Sequence, residues 1–309
     1  MQYDKVVDTV NEVMGQYDFR LTVRQLYYRI ISPPYQLFGN TINNYKGFDK
    51  ILTKARERGD IDWRKIEDRS RSLLGGEERH DDTPADFLKT YLSYPSARWY
   101  SESWWKDQPK HVEVWVEKDA LASLFLNAIK ELEVHVYPNR GYSSHTKLME
   151  ALERFEEAGK HEVVILHYGD HDPSGVDMTR DLQERLSTYV MTEGYMLDIT
   201  VKRLALTIEQ VNQYRLESNP TKKLDARSAK YVAEFGNVCW ELDAFPPDEL
   251  ARFVNQTVNR EIDQEMKQAS ITRMEDHRRE LKAALAKFSD EYEELTSKII
   301  AEVEEDSEE

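Results

Sequence analysis

Cysteine is almost missing from this chain: Cys239 is the one example in 309 residues. A lone cysteine excludes an intrachain disulfide and a cysteine zinc cluster, and it fits a reducing cytoplasm. Long apolar runs are missing too. No stretch approaches the roughly eighteen residues of a membrane span. The N-terminal MQYDKVVDTVNEV also lacks a basic region followed by an apolar one, so a soluble, unexported protein with no membrane partner is expected. There is no Gly-rich phosphate loop of the Walker type, no internal repeat, and no low-complexity stretch apart from an acidic terminus.

What is present is charge, unevenly spread. The formal net charge of −16 argues against nucleic acid as a partner, because Lys and Arg on phosphate dominate such affinity. Distribution matters more than the sum. The C-terminus carries Glu302, Glu304, Glu305, Asp306, Glu308 and Glu309, whereas Arg20 to Arg71 is rich in Lys and Arg. A local basic face can coexist with an acidic whole. The 40% hydrophobic content and the length leave room for two ordinary domains.

Helical spacing of Val6, Val7, Val10 and Val13 predicts a first helix. A second starts after Thr22, a suitable N-cap, and runs through VRQLYYRIIS until Pro33 and Pro34 stop it. In the third, Phe48, Ile51, Leu52 and Ala55 form an apolar stripe opposite Lys50, Lys54 and Arg58, and Gly59 and Asp60 end it. With short segments around Ile61, Trp63 and Ile66, residues 1–74 read as a winged-helix (CAP-like) module. Residues 75–110, with Gly75, Gly76 and SARWYSESWWKDQP, read as a connector. Its Trp99, Trp104 and Trp105 either pack a domain junction or stack on bases. From Val112 strands and helices alternate, which predicts parallel βαβ units over 111–259. Beyond Asn259 a long helix is expected over 260–309. Its Met274, Leu281, Leu285, Phe288, Tyr292, Leu295 and Ile299 follow coiled-coil spacing, for pairing with another subunit or packing within its own domain.

VEVWVEKDALASL places Glu117 just past one apolar strand, and EVVILHYGDHDPSGVDM places Asp170 and Asp172 just past another. Near-continuous Val, Ile and Leu belong to strands covered on both faces, and such sheets carry their chemistry at the carboxyl ends. Converging carboxylates repel unless a cation neutralises them, and hard oxygen donors suit Mg²⁺. A phosphoryl-transfer metal site is therefore expected, with Lys118 able to reach a phosphate and the helix after Pro173-Ser174-Gly175 pointing its N-terminus at the site. The bland alternative is that the three acids only cap helices and hold surface turns. His167 and His171 flank Asp170. The latter is either a group supporting catalysis or a solvated turn residue.

This arrangement resembles the Toprim domain of topoisomerases, bacterial primases and some nucleases, where a Glu after the first strand and an Asp-x-Asp after a later one bind Mg²⁺. Glu117, Asp170 and Asp172 match those positions. VEKDAL, NRGYSSHTKLMEAL and ELDAFPPDEL look specifically like the topoisomerase VI A subunit, over most of residues 15–260. That subunit, like the related transesterase of meiotic double-strand breaks, has a winged-helix domain ahead of Toprim with a catalytic tyrosine in a helix reading roughly V-R-[DEQ]-[IL]-[FY]-Y. Val23-Arg24-Gln25-Leu26-Tyr27-Tyr28 matches it, with Tyr28 at the nucleophile and Arg24 one turn away. Helix geometry sends adjacent side chains about 100° apart, so one tyrosine is expected in the core and Tyr28 in the open. Packing of both is the competing reading. The chain is shorter than a typical A subunit and closer to the shortened mini-A relatives of mobile elements.

The resemblance implies Mg²⁺-dependent cleavage of double-stranded DNA by tyrosine transesterification, as in type IIB topoisomerases. Tyr28, Arg24 and Glu117 would be catalytic, Glu117, Asp170 and Asp172 would hold the metal, and Lys50, Lys54, Arg58 and Lys118 would bind DNA. A homodimer whose tyrosine serves its partner's metal site, a separate ATPase subunit for strand passage, and a nucleoid-associated cytoplasmic location follow by the same analogy. Two rivals stand beside it: a Toprim nuclease in which water attacks, and a non-catalytic winged-helix DNA-binding protein.

Overall fold

A computed structural model describes residues 2–67, 83–92, 95–139, 141, 143–221 and 228–306. Expected features at Arg71, Gly75, Gly76, Arg140, Tyr142, Glu308 and Glu309 lie outside them. The chain divides into two compact units, Met1–Arg71 with Pro109–Ile262, and Ser72–Gln108 with Asp263–Glu309.

In the first unit, α1 (Tyr3–Gly15) buries Val6, Val10 and Val13 along one face. After β1 (Leu21–Thr22), α2 (Val23–Ile31) starts as expected. The Thr22 hydroxyl accepts the Gln25 N–H, and the Gln25 side chain accepts the Thr22 N–H in return. This reciprocal cap satisfies two donors that a helix start leaves free. α3 (Ile42–Arg58) closes on Gly59, whose left-handed backbone (φ 78°) any other residue would adopt at a cost. β2 (Ile66–Glu67) pairs in parallel with β1, and the three helices share one core of Val10, Leu26, Ile30, Phe48 and Leu52.

The apolar runs that follow form a four-stranded, wholly parallel sheet in the order β4-β3-β5-β6. Its strands are β3 (Lys110–Val116), β4 (His135–Pro138), β5 (Glu162–Tyr168) and β6 (Asp198–Ala205). Helices α5 (Ala122–Ile129), α6 (His145–Glu157) and α7 (Pro173–Glu193) connect them. Along β5 alternate residues go to opposite faces. Val163 and Ile165 pack with Leu152, Phe155, Met178 and Leu182 of α6 and α7. Tyr168 meets Phe125 of α5 and Phe253 of α10 (Pro247–Asn259). Between β6 and α10 the chain passes through α8 (Ile208–Tyr214), β7 (Asn219–Pro220), α9 (Ser228–Phe235), β8 (Val238–Cys239) and a short turn, Leu242–Ala244. That turn packs on α2 and puts Ala244 into the helical core.

The second unit holds α4 (Pro84–Tyr91), α11 (Gln264–Leu285) and α12 (Ser289–Asp306). The C-terminal segment is thus two helices where one uninterrupted helix was expected. Ser289 starts the second, with Asp290 and Glu291 in its first turn, the residue types a helix N-terminus favours. Of the connector tryptophans, Trp104 is buried and stacked on Trp105, whereas Trp99 is exposed. No helix of the described residues is long and apolar enough to cross a membrane.

Candidate active site

Glu117 follows β3 and continues its ladder, donating its N–H to the Tyr168 carbonyl at 2.8 Å. Its carboxylate then lies over the end of β5, where Oε2 accepts the Asp170 N–H at 2.9 Å. Gly169 makes this approach possible, since a Cβ there would stand 2.8 Å from that oxygen. Asp170 Oδ1 accepts the Leu242 N–H at 2.8 Å and faces Lys118 Nζ at 3.2 Å. Asp172 caps α7 by accepting the Gly175 N–H at 2.7 Å. The structure therefore gathers Glu117 and Asp170 at the strand ends, with one Asp172 oxygen already committed to the helix cap.

Arg203, near the end of β6, braces this corner. Its guanidinium donates to the Asp170 carbonyl at 2.7 Å and to the Gly175 carbonyl at 2.6 Å. The planar fork suits two acceptors held at fixed spacing. His167 beneath it is fully buried, and burial together with the Arg203 charge pushes its imidazole down to about 3, so it is neutral. His171 is likewise buried, contrary to a solvated turn residue. Its Nδ1 meets the Tyr231 hydroxyl at 2.7 Å, and its backbone pairs with Trp240.

The tyrosine helix reaches the same corner. Arg24 grips Glu241 with both ends of its fork, Nη2 to Oε1 at 2.7 Å and Nε to Oε2 at 2.6 Å, and its guanidinium lies 4.3 Å over the Tyr45 ring. Glu241 Oε2 in turn faces Lys118 Nζ at 3.5 Å. Lys118 makes its shortest contact with Asp243, at 2.5 Å, and Asp243 also accepts from the Thr22 hydroxyl at 3.2 Å. An ionic chain Arg24–Glu241–Lys118–Asp170 thus joins α2 to the strand-end acids within one unit.

Tyr28 departs from expectation: it is 1% exposed, as is Tyr27. α2 packs against α1 and α3 and also against the Leu242–Ala244 turn, so both tyrosines face protein. The Tyr28 hydroxyl accepts from Asn219 Nδ2 at 2.6 Å. Burial, and then the Glu241 charge, push its pKa well above that of an ordinary phenol, so the hydroxyl holds its proton more tightly. Tyr27 donates to the Thr41 carbonyl at 3.2 Å and packs among Tyr45, Phe38 and Phe48.

Of the expected DNA-binding cations, Lys118 lies inside this network. Lys50, Lys54 and Arg58 are exposed on α3, the latter two beside the Tyr3 ring of α1. The cleft of about 680 Å³ over the site takes Tyr45, Asp49 and Arg56 from that helix instead.

The carboxylates behave as a site short of positive charge. Burial, opposed by Lys118 and reinforced by Glu117, pushes Asp170 up to about 7. Glu117 is raised by burial, with Asp172 adding to it. Lys118 is held well above the usual ammonium value, because Asp243, Asp170 and Glu241 overcome the effect of its burial. Five carboxylates, Glu117, Asp170, Asp172, Glu241 and Asp243, share the corner with three cations, Arg24, Lys118 and Arg203, so full ionisation would leave two negative charges over, and the raised Asp170 and Glu117 resist it. Among the described residues no group of three His, Cys, Asp or Glu side chains is gathered as a cation cage. Mg²⁺ does not need one, since it keeps several waters and takes one or two carboxylates plus substrate phosphate. Glu117 and Asp170 fit that demand. Glu241, Asp243, Arg203 and Asn219 were not singled out from the sequence. The usable signal was a charged Arg203 inside the apolar strand DITVKRLAL.

No family model and no curated protein matches the chain.

Proposed function

We propose that the chain cleaves DNA by divalent-cation-dependent transesterification, in the manner of the topoisomerase VI A-like proteins its motifs resemble, with a winged-helix module carrying Tyr28 and a Toprim domain carrying Glu117 and Asp170. The observation that carries this reading is the ionic chain running from Arg24 through Glu241 and Lys118 to Asp170. It joins the tyrosine helix to Asp170 of its own chain, not a partner's as the resemblance implies, and Asp170 and Glu117 beside it have a raised protonation that calls for a cation.

Each residue has a part. The Tyr28 oxygen attacks phosphorus, the bond from phosphorus to the 3′ oxygen breaks, and the proton lost by the phenol is balanced by the one the 3′ oxygen gains. A phenol with a pKa near 10 or above is protonated at neutral pH, so its attack needs help. Asn219 supplies an N–H to the phenol oxygen, which favours the phenolate. Arg24 and Lys118 offer donors for the phosphoryl oxygens. Mg²⁺ held by Glu117 and Asp170 would stabilise charge on the phosphoryl and leaving oxygens. The phosphotyrosyl bond keeps roughly the energy of the one broken, so resealing needs no ATP for the chemical step.

Burial of Tyr28 favours a second reading, hydrolysis by water at the same carboxylates. Incubation with end-labelled duplex DNA and Mg²⁺, followed by detergent denaturation, separates the two. Transesterification gives protein-linked DNA that disappears in Tyr28→Phe and maps to Tyr28 by peptide analysis. Free ends without adduct, unchanged in Tyr28→Phe, would sink it in favour of hydrolysis. DNA-linked activity unchanged in Glu117→Ala and Asp170→Ala would leave only DNA binding.

A further inference from the structure

Two cations able to hold a phosphodiester already hold an anion. Arg24 presents its Nε and Nη2 to the two oxygens of Glu241 at 2.6 and 2.7 Å, the fork geometry in which guanidinium takes carboxylate or phosphate alike. Lys118 faces the same carboxylate at 3.5 Å from the other side. The backbone on either side of this acid is held: Trp240 exchanges two backbone hydrogen bonds with His171, and the Leu242 N–H is bound to Asp170. Glu241 borders the open cleft with Arg24, Lys118 and Arg56, and with the acids Asp49, Glu67, Glu117, Asp119 and Asp243; of these acids it is the one that Arg24 grips. A fixed backbone beneath a side chain that can swing into open space is what an exchangeable ligand requires.

We propose that Arg24 and Lys118 form a seat for one DNA backbone phosphate, and that the Glu241 carboxylate fills this seat in the free protein and swings out when DNA enters. Glu241 is a placeholder. It keeps the part-buried Arg24 paired while the cleft is empty, whereas Lys118 also has Asp243 and Asp170, and leaving a partly desolvated charge unpaired is costly. It also sets a threshold on binding, because an entering phosphate must displace a carboxylate that would otherwise repel it. The inference rests on the reading of the cleft as a DNA site.

The test is binding without chemistry. Fluorescence polarisation of a labelled duplex, in EDTA, compares the wild type with Glu241→Gln, Glu162→Gln and the double variant Arg24→Gln/Glu241→Gln, each checked for a normal melting curve. Glu162 is exposed at the first residue of β5, the end of the strand opposite the site, so its variant makes the same charge change away from the seat. Glu241→Gln should bind roughly tenfold tighter, since like charges in a binding site cost affinity. The Glu162 variant should match the wild type, and the double variant should lose the gain. An equal or weaker affinity for Glu241→Gln, a gain shared by Glu162→Gln, or a gain that survives loss of Arg24 would each overturn the proposal. Absence of salt-dependent binding in every variant would overturn the DNA reading itself, and the seat with it.

Discussion

Gly175→Ala tests whether the corner around Asp170 is as tight as its geometry implies. A Cβ built at Gly175 stands 2.3 Å from the Asp170 carbonyl oxygen and 3.1 Å from its carbon, backbone atoms with no rotamer to escape through. Bringing the first contact to 3.0 Å means moving one segment by at least about 0.7 Å. That movement also pulls on the Arg203 fork, which spans the Asp170 and Gly175 carbonyls, and on the N-cap bond from Gly175 to Asp172. Overpacking of this kind costs about 1–3 kcal/mol. At about 2–4 °C for each kcal/mol in a domain of this size, the melting midpoint should fall by roughly 2–12 °C. The displacement falls on a residue proposed to hold the cation, where misplacement by about 1 Å can cost ~100-fold in rate, so cleavage should fall further than stability does. Thermal unfolding followed by circular dichroism, with DNA cleavage measured in parallel, reads both. Gly15→Ala is the control, because a methyl there meets nothing within 4 Å. A Gly175→Ala protein that melts within about 1 °C of the wild type and cleaves at its rate would refute the argument.

Two further predictions concern protonation and stability. Asp170 has a raised value of about 7, so the stability it contributes is complete at acid pH and is lost as pH rises through 7. In EDTA the wild type should lose more stability than Asp170→Asn between about pH 4 and 7, the slope left in the variant coming from the raised Glu117, and Mg²⁺ should restore the wild type alone; parallel curves in scanning fluorimetry would count against this. Glu113, fully buried on β3, is bound by Arg154 at 2.6 Å and 3.0 Å, by Trp115 at 2.9 Å and by His111 at 3.3 Å. Its value lies far below the usual carboxylate range because these donors, Arg154 foremost, outweigh burial. Glu113→Gln should cost about 3 kcal/mol by urea unfolding at pH 7, near the low end for a broken buried pair because Arg154 is part-exposed. That stability is present above the unfolded value of about 4.3. The gap between wild type and variant should therefore close as pH falls below it, and a gap constant down to pH 2.5 would contradict the assignment.

The parallel sheet and its two strand-end acids were legible because local pattern sets them. Apolar runs of strand length, alternating with helical spacing, give βαβ units, and Glu117 and Gly169-Asp170 fall where those runs stop. The Thr22 cap and the Gly59 stop were legible for the same reason. The burial of Tyr28 was not, because helical periodicity reports one buried face, and α2 is covered on a second by the Leu242–Ala244 turn some 215 residues further along. Arg203, Asn219, Glu241 and Asp243 escaped for a related reason. Each acts through partners distant in sequence, such as Glu241 on Arg24 across 217 positions, and no local periodicity encodes such a pairing. The break at Ser289 was a missed cap signal, outweighed in the reading by the regular spacing of Leu281, Leu285, Phe288 and Leu295 on either side.

One stretch of chain, from Asn219 to Asp243, touches four residues of the site. Asn219 holds the Tyr28 oxygen, Glu241 holds Arg24, the Leu242 amide holds Asp170, and Asp243 holds Lys118. The β7–β8 pairing ties the two ends of this stretch together through Asn219 and Cys239. Tyrosine helix and acidic corner therefore cannot be exchanged between related sequences as independent modules. A chimera joining a foreign N-terminal domain to this sheet must match its Arg24 and Tyr28 equivalents to the stretch already present, or import the stretch along with them. Substitutions accepted at Arg24 should be paired with changes at Glu241, so the two positions drift together or not at all.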